Sequence, residues 1–242
     1  MIEASYKNSE ELPVVLDQSE ADILALMPRM DWDRPPWNRW SFQRIRSLMP
    51  TAQVWRGNEK IVPIPRQEKE ISQIEFTRSN EVSQTIEAFL DDTYTDGFLV
   101  MADGYIVHES YYNGMRPETP HLMQSVSKSI TSTVTGIMIG RGDLDSSALV
   151  KTYIPELAET AWAGATLQHV LDMTTGVQYS EEYTRLDSDV GKTDVASGWR
   201  PIAPDASPDI SWPASVWDQI LSLKTCDAEH GSRFLYRSIE TD

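Results

Sequence analysis

His121-Leu122-Met123-Gln124-Ser125-Val126-Ser127-Lys128-Ser129-Ile130-Thr131-Ser132-Thr133-Val134-Thr135-Gly136 is the stretch on which the fold turns, because it sets a hydroxyl and an amine one helical turn apart. Residues three apart share a helix face, so Ser125 and Lys128 can approach each other if a helix starts near Gln124. A serine hydroxyl attacks poorly at neutral pH unless a base takes its proton, and a lysine can be that base once burial favours the neutral amine. The free N–H groups at the start of such a helix point to where negative charge grows on an attacked carbonyl, which supplies half of an oxyanion hole. The stretch reads as an active-site helix with Ser125 as nucleophile.

Spacing alone does not carry this reading. A serine followed three residues later by lysine turns up by chance about once in a chain this long, and the pair could equally be an N-cap serine beside a lysine that snorkels to water. The setting decides. Ile130, Val134, Ile137, Met138 and Ile139 make the helix apolar on several sides, which predicts a buried helix, and such a helix rarely keeps an idle lysine. Gly140-Arg141-Gly142 ends it, since glycine accepts the left-handed conformation of a helix terminus. Gly136-x-x-x-Gly140 is not a phosphate loop, because no lysine and hydroxyl pair follows it.

A chain of 242 residues, 40% hydrophobic and 24% charged, can bury the core of an ordinary globular enzyme. A formal charge of -16 and a pI near 4.6 argue against nucleic acid or an anionic membrane as partner. The single cysteine, Cys226, excludes an intrachain disulfide and reads as a small packing residue. Met1 to Glu11 is polar and acidic, without the apolar stretch of a signal peptide, and no run approaches membrane-spanning length, so a cytoplasmic protein is predicted. His108, His121, His169 and His230 show no His-x-x-x-His spacing and there is no Cys-x-x-Cys; no metal or other cofactor is expected, and the histidines read as structural. A Gly-x-Ser-x-Gly elbow is also missing, against an α/β-hydrolase triad.

Along the chain, residues 1–70 read as an irregular arm rich in proline and tryptophan, with a short helix around Ser41 to Leu48. Val82, Ile86, Phe89 and Leu90 space a helix from Glu81 to Leu90. Gly97 to Met101 and Tyr105 to His108, joined by Ala102-Asp103-Gly104, predict a hairpin. Beyond the Ser125 helix, Leu149 to Leu157 gives a short helix interrupted by Pro155, and Thr166 caps a helix from Leu167 to Met173. Tyr179 to Trp199 reads as a loop over the site, and Trp212 to Leu223 as a helix with Trp217, Ile220 and Leu221 on one side.

Three local patterns occur in order and together resemble the superfamily of class C beta-lactamases and penicillin-binding proteins. Ser125-Val126-Ser127-Lys128 resembles its Ser-x-x-Lys, Leu167-Gln168-His169-Val170-Leu171-Asp172-Met173-Thr174-Thr175-Gly176-Val177 its structural helix and turn, and Tyr236-Arg237-Ser238 its Tyr-x-Asn/Ser. Within that superfamily, Met123 to Ser129, Tyr179 to Tyr183, Ser197 to Arg200, Phe234 to Asp242 and Trp37 to Phe42 resemble the 6-aminohexanoate-dimer hydrolases, amidases with esterase activity. The resemblance implies an α/β (α+β), beta-lactamase-like fold: an antiparallel sheet flanked by helices, with an inserted, mainly helical domain. The arm would end at residue 70, residues 71–145 would begin the α/β domain, and 146–242 would be the helical domain.

It further implies a serine hydrolase acting on small amides or esters, as an amidase or a carboxylesterase. Ser125 would form the acyl-enzyme, Lys128 and Tyr236 would share the proton work as a coupled pair, and Tyr183 and Asp194 would bind substrate. A beta-lactamase or D-amino-acid peptidase is the alternative enzyme; a non-catalytic binding module or inactive fragment is the alternative of another class. A homodimer is left open. The superfamily's late Lys/His-Thr/Ser-Gly strand motif has no counterpart after Tyr236, so the C-terminal strands are expected to be missing and the chain alone to be inactive.

Overall fold

The computed structural model describes residues 19–79 and 82–242, so the readings of Met1 to Glu11 and of Glu81 lie outside the described residues. The chain divides into two units, Met1–Leu122 and Met123–Asp242.

The first unit opens with α1 (Glu20–Leu26), where Ser19 Oγ accepts the Asp22 N–H at 3.3 Å and Ile23 faces inward. Two further short helices, α2 (Asn38–Ser41) and α3 (Ile45–Leu48), stand where one was expected. Trp32, Trp37 and Trp40 are each only 4% exposed, so residues 32–41 are core, whereas residues 50–65, with Trp55 66% exposed, are irregular and exposed as expected of an arm. Burying an indole removes a large apolar surface from water, enough to order a proline-rich segment that has little regular hydrogen bonding. Arg39 is sealed in with them: its guanidinium pairs with Asp96 at 2.8 Å, and Asp96 also meets His121 Nε2 at 3.2 Å.

β1 (Glu75–Thr77) pairs antiparallel with β2 (Ser83–Thr85), and α4 (Ile86–Asp92) follows directly. The helix expected from Glu81 therefore starts later, because the β1 ladder claims Ser83–Thr85 and Thr85 Oγ1 caps the Ala88 N–H at 3.1 Å. β3 (Gly97–Ala102) and β4 (Tyr105–Tyr111) form the expected hairpin, turning at Asp103 and Gly104, which both take positive φ, as a tight two-residue turn requires.

In the second unit α5 (Ser127–Arg141) ends at Gly142, whose φ of 82° is the left-handed cap expected there. Two 3-10 turns, Val150–Thr152 and Pro155–Glu159, replace the helix expected from Leu149 to Leu157, since Pro155 cannot donate the bond that would join them. α6 (Leu167–Leu171) carries the expected Thr166 cap. α7 (Asp189–Ala196) lies inside the segment read as a loop, and α8 (Val216–Ser222) is shorter than expected and turns Gln219 and Ile220 inward while Trp217 is exposed. Val150, Leu157, Trp162, Ala165, Val177, Tyr179, Val190, Ile220 and Ile239 make one core, with Leu167, Val170 and Val216 packed on it.

Candidate active site

Ser125 sits in a 3-10 turn, Gln124–Val126, that leads into α5. Gln124 takes a φ of 49°, uncommon for a residue other than glycine, and Ser125 next to it is exposed. Ser125 Oγ lies 2.7 Å from the Tyr236 hydroxyl, and either can donate. Tyr236 arrives there because its segment is stitched to the turn after α6: Leu235 N–H donates to Met173 O at 3.0 Å and Gly231 N–H to Thr174 O at 2.8 Å. Next to it Arg237 is buried and pairs with Asp227 at 2.9 Å. The α6 end is itself braced, since Thr166 and His169 form a reciprocal capping box and the His169 and His230 rings stack with centroids 6.1 Å apart.

Lys128 stands one turn along α5 and is partly exposed. Among the described residues no hydrogen bond joins it to Ser125, while its charge acts on Asp242, pulling back a carboxyl that burial pushes up. The expectation of a buried helix does not hold for this chain: α5 has no buried residue, and Ile130 is 67% exposed. Its apolar side chains project where no described residue covers them, so patterning alone misjudged what they meet.

Tyr183 lies on the exposed loop ahead of α7, and electrostatic coupling links it with Tyr236. Burial of its hydroxyl end, and after it the Glu181 carboxylate, raise its pKa well above the ordinary phenol value. Asp194, on α7, faces Arg200 Nε at 3.3 Å rather than open space. Cys226 is exposed as a residue, although its Sγ touches Ala161 O at 3.3 Å and burial raises its thiol.

The beta-lactamase family model matches residues 82–241, which hold Ser125, Lys128, Tyr183, Asp194 and Tyr236. The chain belongs to the beta-lactamase family. It is 36% identical, over 176 residues, to a 6-aminohexanoate-dimer hydrolase of Paenarthrobacter ureafaciens, a match covering 72% of this chain and 43% of that protein. A solved structure from Bacillus anthracis, provisionally assigned as a 6-aminohexanoate-dimer hydrolase, superposes with a TM-score of 0.76 at 26% identity, over 90% of this chain and 55% of that one. The chain thus spans about half the length of these relatives. Its fold is beta-lactamase-like, mixed helices with small antiparallel sheets, as the sequence implied. No helix among the described residues is long and apolar enough to cross a membrane.

Glu181 is the residue of this beta-lactamase-family site that sequence reasoning passed over. It accepts the Ser238 N–H just after Tyr236-Arg237, yet in sequence it looks like one more acid of a polar loop. Only its position two residues before Tyr183 marked it. Gln124 was missed as a conformational feature for a similar reason, since nothing in a glutamine announces a left-handed backbone.

Proposed function

We propose that the protein is a serine hydrolase that cleaves amide or ester bonds of small molecules through an acyl-enzyme on Ser125. The observation that supports it most is the 2.7 Å approach of Ser125 Oγ and Tyr236 OH, from residues 111 positions apart, at the start of a 15-residue helix. Attack by Oγ on the carbonyl carbon forms the C–O bond while the hydroxyl proton passes to the Tyr236 oxygen, which takes it as a phenolate whose own proton is held by Lys128 one turn away as an ammonium. The N-terminal end of α5 favours the oxyanion that forms. Collapse breaks the bond to the amine or alcohol, which takes the proton back, and water then releases the acid and frees Ser125.

The names of the two relatives point to 6-aminohexanoate dimer as the first amide to try. Tyr183 and Asp194 are our candidates for substrate contact, Asp194 toward an amine if it exchanges Arg200 for the ligand. Treating the protein expressed from its complete gene with a fluorophosphonate should label Ser125, as peptide mapping would show. Label on another serine, or undiminished labelling after Ser125→Ala, ends the proposal.

A further inference from the structure

Two phenols come from different parts of the chain, Tyr236, from the segment after residue 231, against Ser125, and Tyr183, from the loop ahead of α7, near Tyr236. One carboxylate connects them. Glu181 Oε1 accepts the backbone N–H of Ser238, two residues after Tyr236. The Tyr183 phenol, two residues after Glu181, lies within hydrogen-bonding reach of the same carboxylate. Glu181 Oε2 is sealed from water and receives no aligned hydrogen bond. Such a buried acceptor is costly unless a donor serves it, and the donor within reach is the Tyr183 hydroxyl.

We infer that Glu181 is a positioning residue that ties the Tyr183 hydroxyl to the Tyr236 segment and keeps Tyr183 a donor beside the Ser125–Tyr236 pair. This rests on the hydrolase reading above and deepens it by dividing the work of two adjacent phenols. Tyr236 has its hydroxyl on Ser125 and is free of the Glu181 side chain's hydrogen bonds, so it exchanges the serine's proton. Tyr183 faces an anion that opposes loss of its own proton, which suits it to hold an acyl donor by hydrogen bonding. Glu181 itself touches neither the reacting oxygen nor the carbonyl in this arrangement; it acts through Tyr183.

Glu181→Gln separates the two ends of the contact. Glutamine keeps a carbonyl oxygen for the Ser238 N–H, but its amide nitrogen cannot accept the phenol's proton. The test is a double-mutant cycle in the protein expressed from its complete gene: kcat/KM for 6-aminohexanoate dimer in the unmodified protein, Glu181→Gln, Tyr183→Phe and the double variant. Glu181→Gln should lose about 10-fold alone and less than about 2-fold once Tyr183 is phenylalanine, because the partner it acts through is gone. An equal factor in both backgrounds would show an ordinary brace of the loop and overturn the inference. If Glu181→Gln does not fold, Glu181→Asp enters the same cycle, its shorter reach breaking the tie, and the same comparison decides. Fluorophosphonate labelling of the unmodified protein is run alongside. Ser125 unlabelled overturns the hydrolase reading and this inference with it, whereas Ser125 labelled with an additive cycle overturns this inference alone.

Discussion

In the proposed mechanism the Ser125 proton leaves as the serine attacks, and among the described residues Tyr236 OH, 2.7 Å from Oγ, is the group placed to take it. Lys128 stands one turn away, near enough to pull back the Asp242 carboxyl that burial pushes up. General-base work contributes at least ~100-fold, so Tyr236→Phe and Lys128→Ala should each lower kcat/KM by that much or more while far-UV dichroism stays unchanged. A normal rate in either variant removes that residue from the mechanism. Sequence alone pointed to Ser125 and Tyr236, because a family motif names both. The hydrogen bond that joins them was out of its reach, since it depends on backbone bonds such as Leu235 to Met173 that no side chain encodes.

At the level of elements, the site depends on how the turn after α6 accepts the returning chain. Gly176 lies in that turn with a φ of 69°, and a Cβ there would sit 2.2 Å from Ala228 O. Both the backbone conformation and the close approach forbid a side chain, so Gly176→Ala should cost at least ~2 kcal/mol and take Ser125 labelling down with stability. Thermal unfolding measures it; an unchanged midpoint would show that the 225–235 segment can move aside. Elements with local signals were legible: the Thr166 cap, the Asp103-Gly104 hairpin and the Gly142 terminus each rest on a few neighbouring residues. α7 was not, because Asp189–Ala196 carries mostly polar and small residues and packs through only Val190 and Gly191, although the Ser188 cap ahead of it was a readable start signal. Trp32, Trp37 and Trp40 misled in the opposite sense. Their prolines suggested an arm, and long-range packing that no local pattern predicts made it core.

Across the whole molecule two features set its behaviour in solution. Glu240 is largely buried, and that burial raises its pKa above the ordinary carboxylate value of 4.5 against the pull of its Thr175 and Trp162 hydrogen bonds. A raised folded-state pKa favours the protonated form, so this contribution to stability is complete below pH 4.5 and is lost as pH rises through the folded value. Glu240→Gln should remove that dependence, flattening the difference in melting temperature between pH 4.5 and 7 relative to the unmodified chain; parallel curves would show that Glu240 does not titrate in this range. The second feature is α5. Ile130, Val134, Ile137 and Met138 recur at helical spacing and are all exposed, with Met123 and Val126 exposed just ahead of them. A monomer seldom leaves so continuous an apolar stripe in water. The 242-residue chain expressed by itself should therefore enhance the fluorescence of a hydrophobic dye. Because these side chains meet water rather than a core, Ile130→Glu with Val134→Glu should abolish most of that enhancement while moving the melting temperature by no more than a few degrees. If the dye stays dark with the native sequence, or the double substitution unfolds the chain, then the stripe is packed in solution and α5 is a core helix after all.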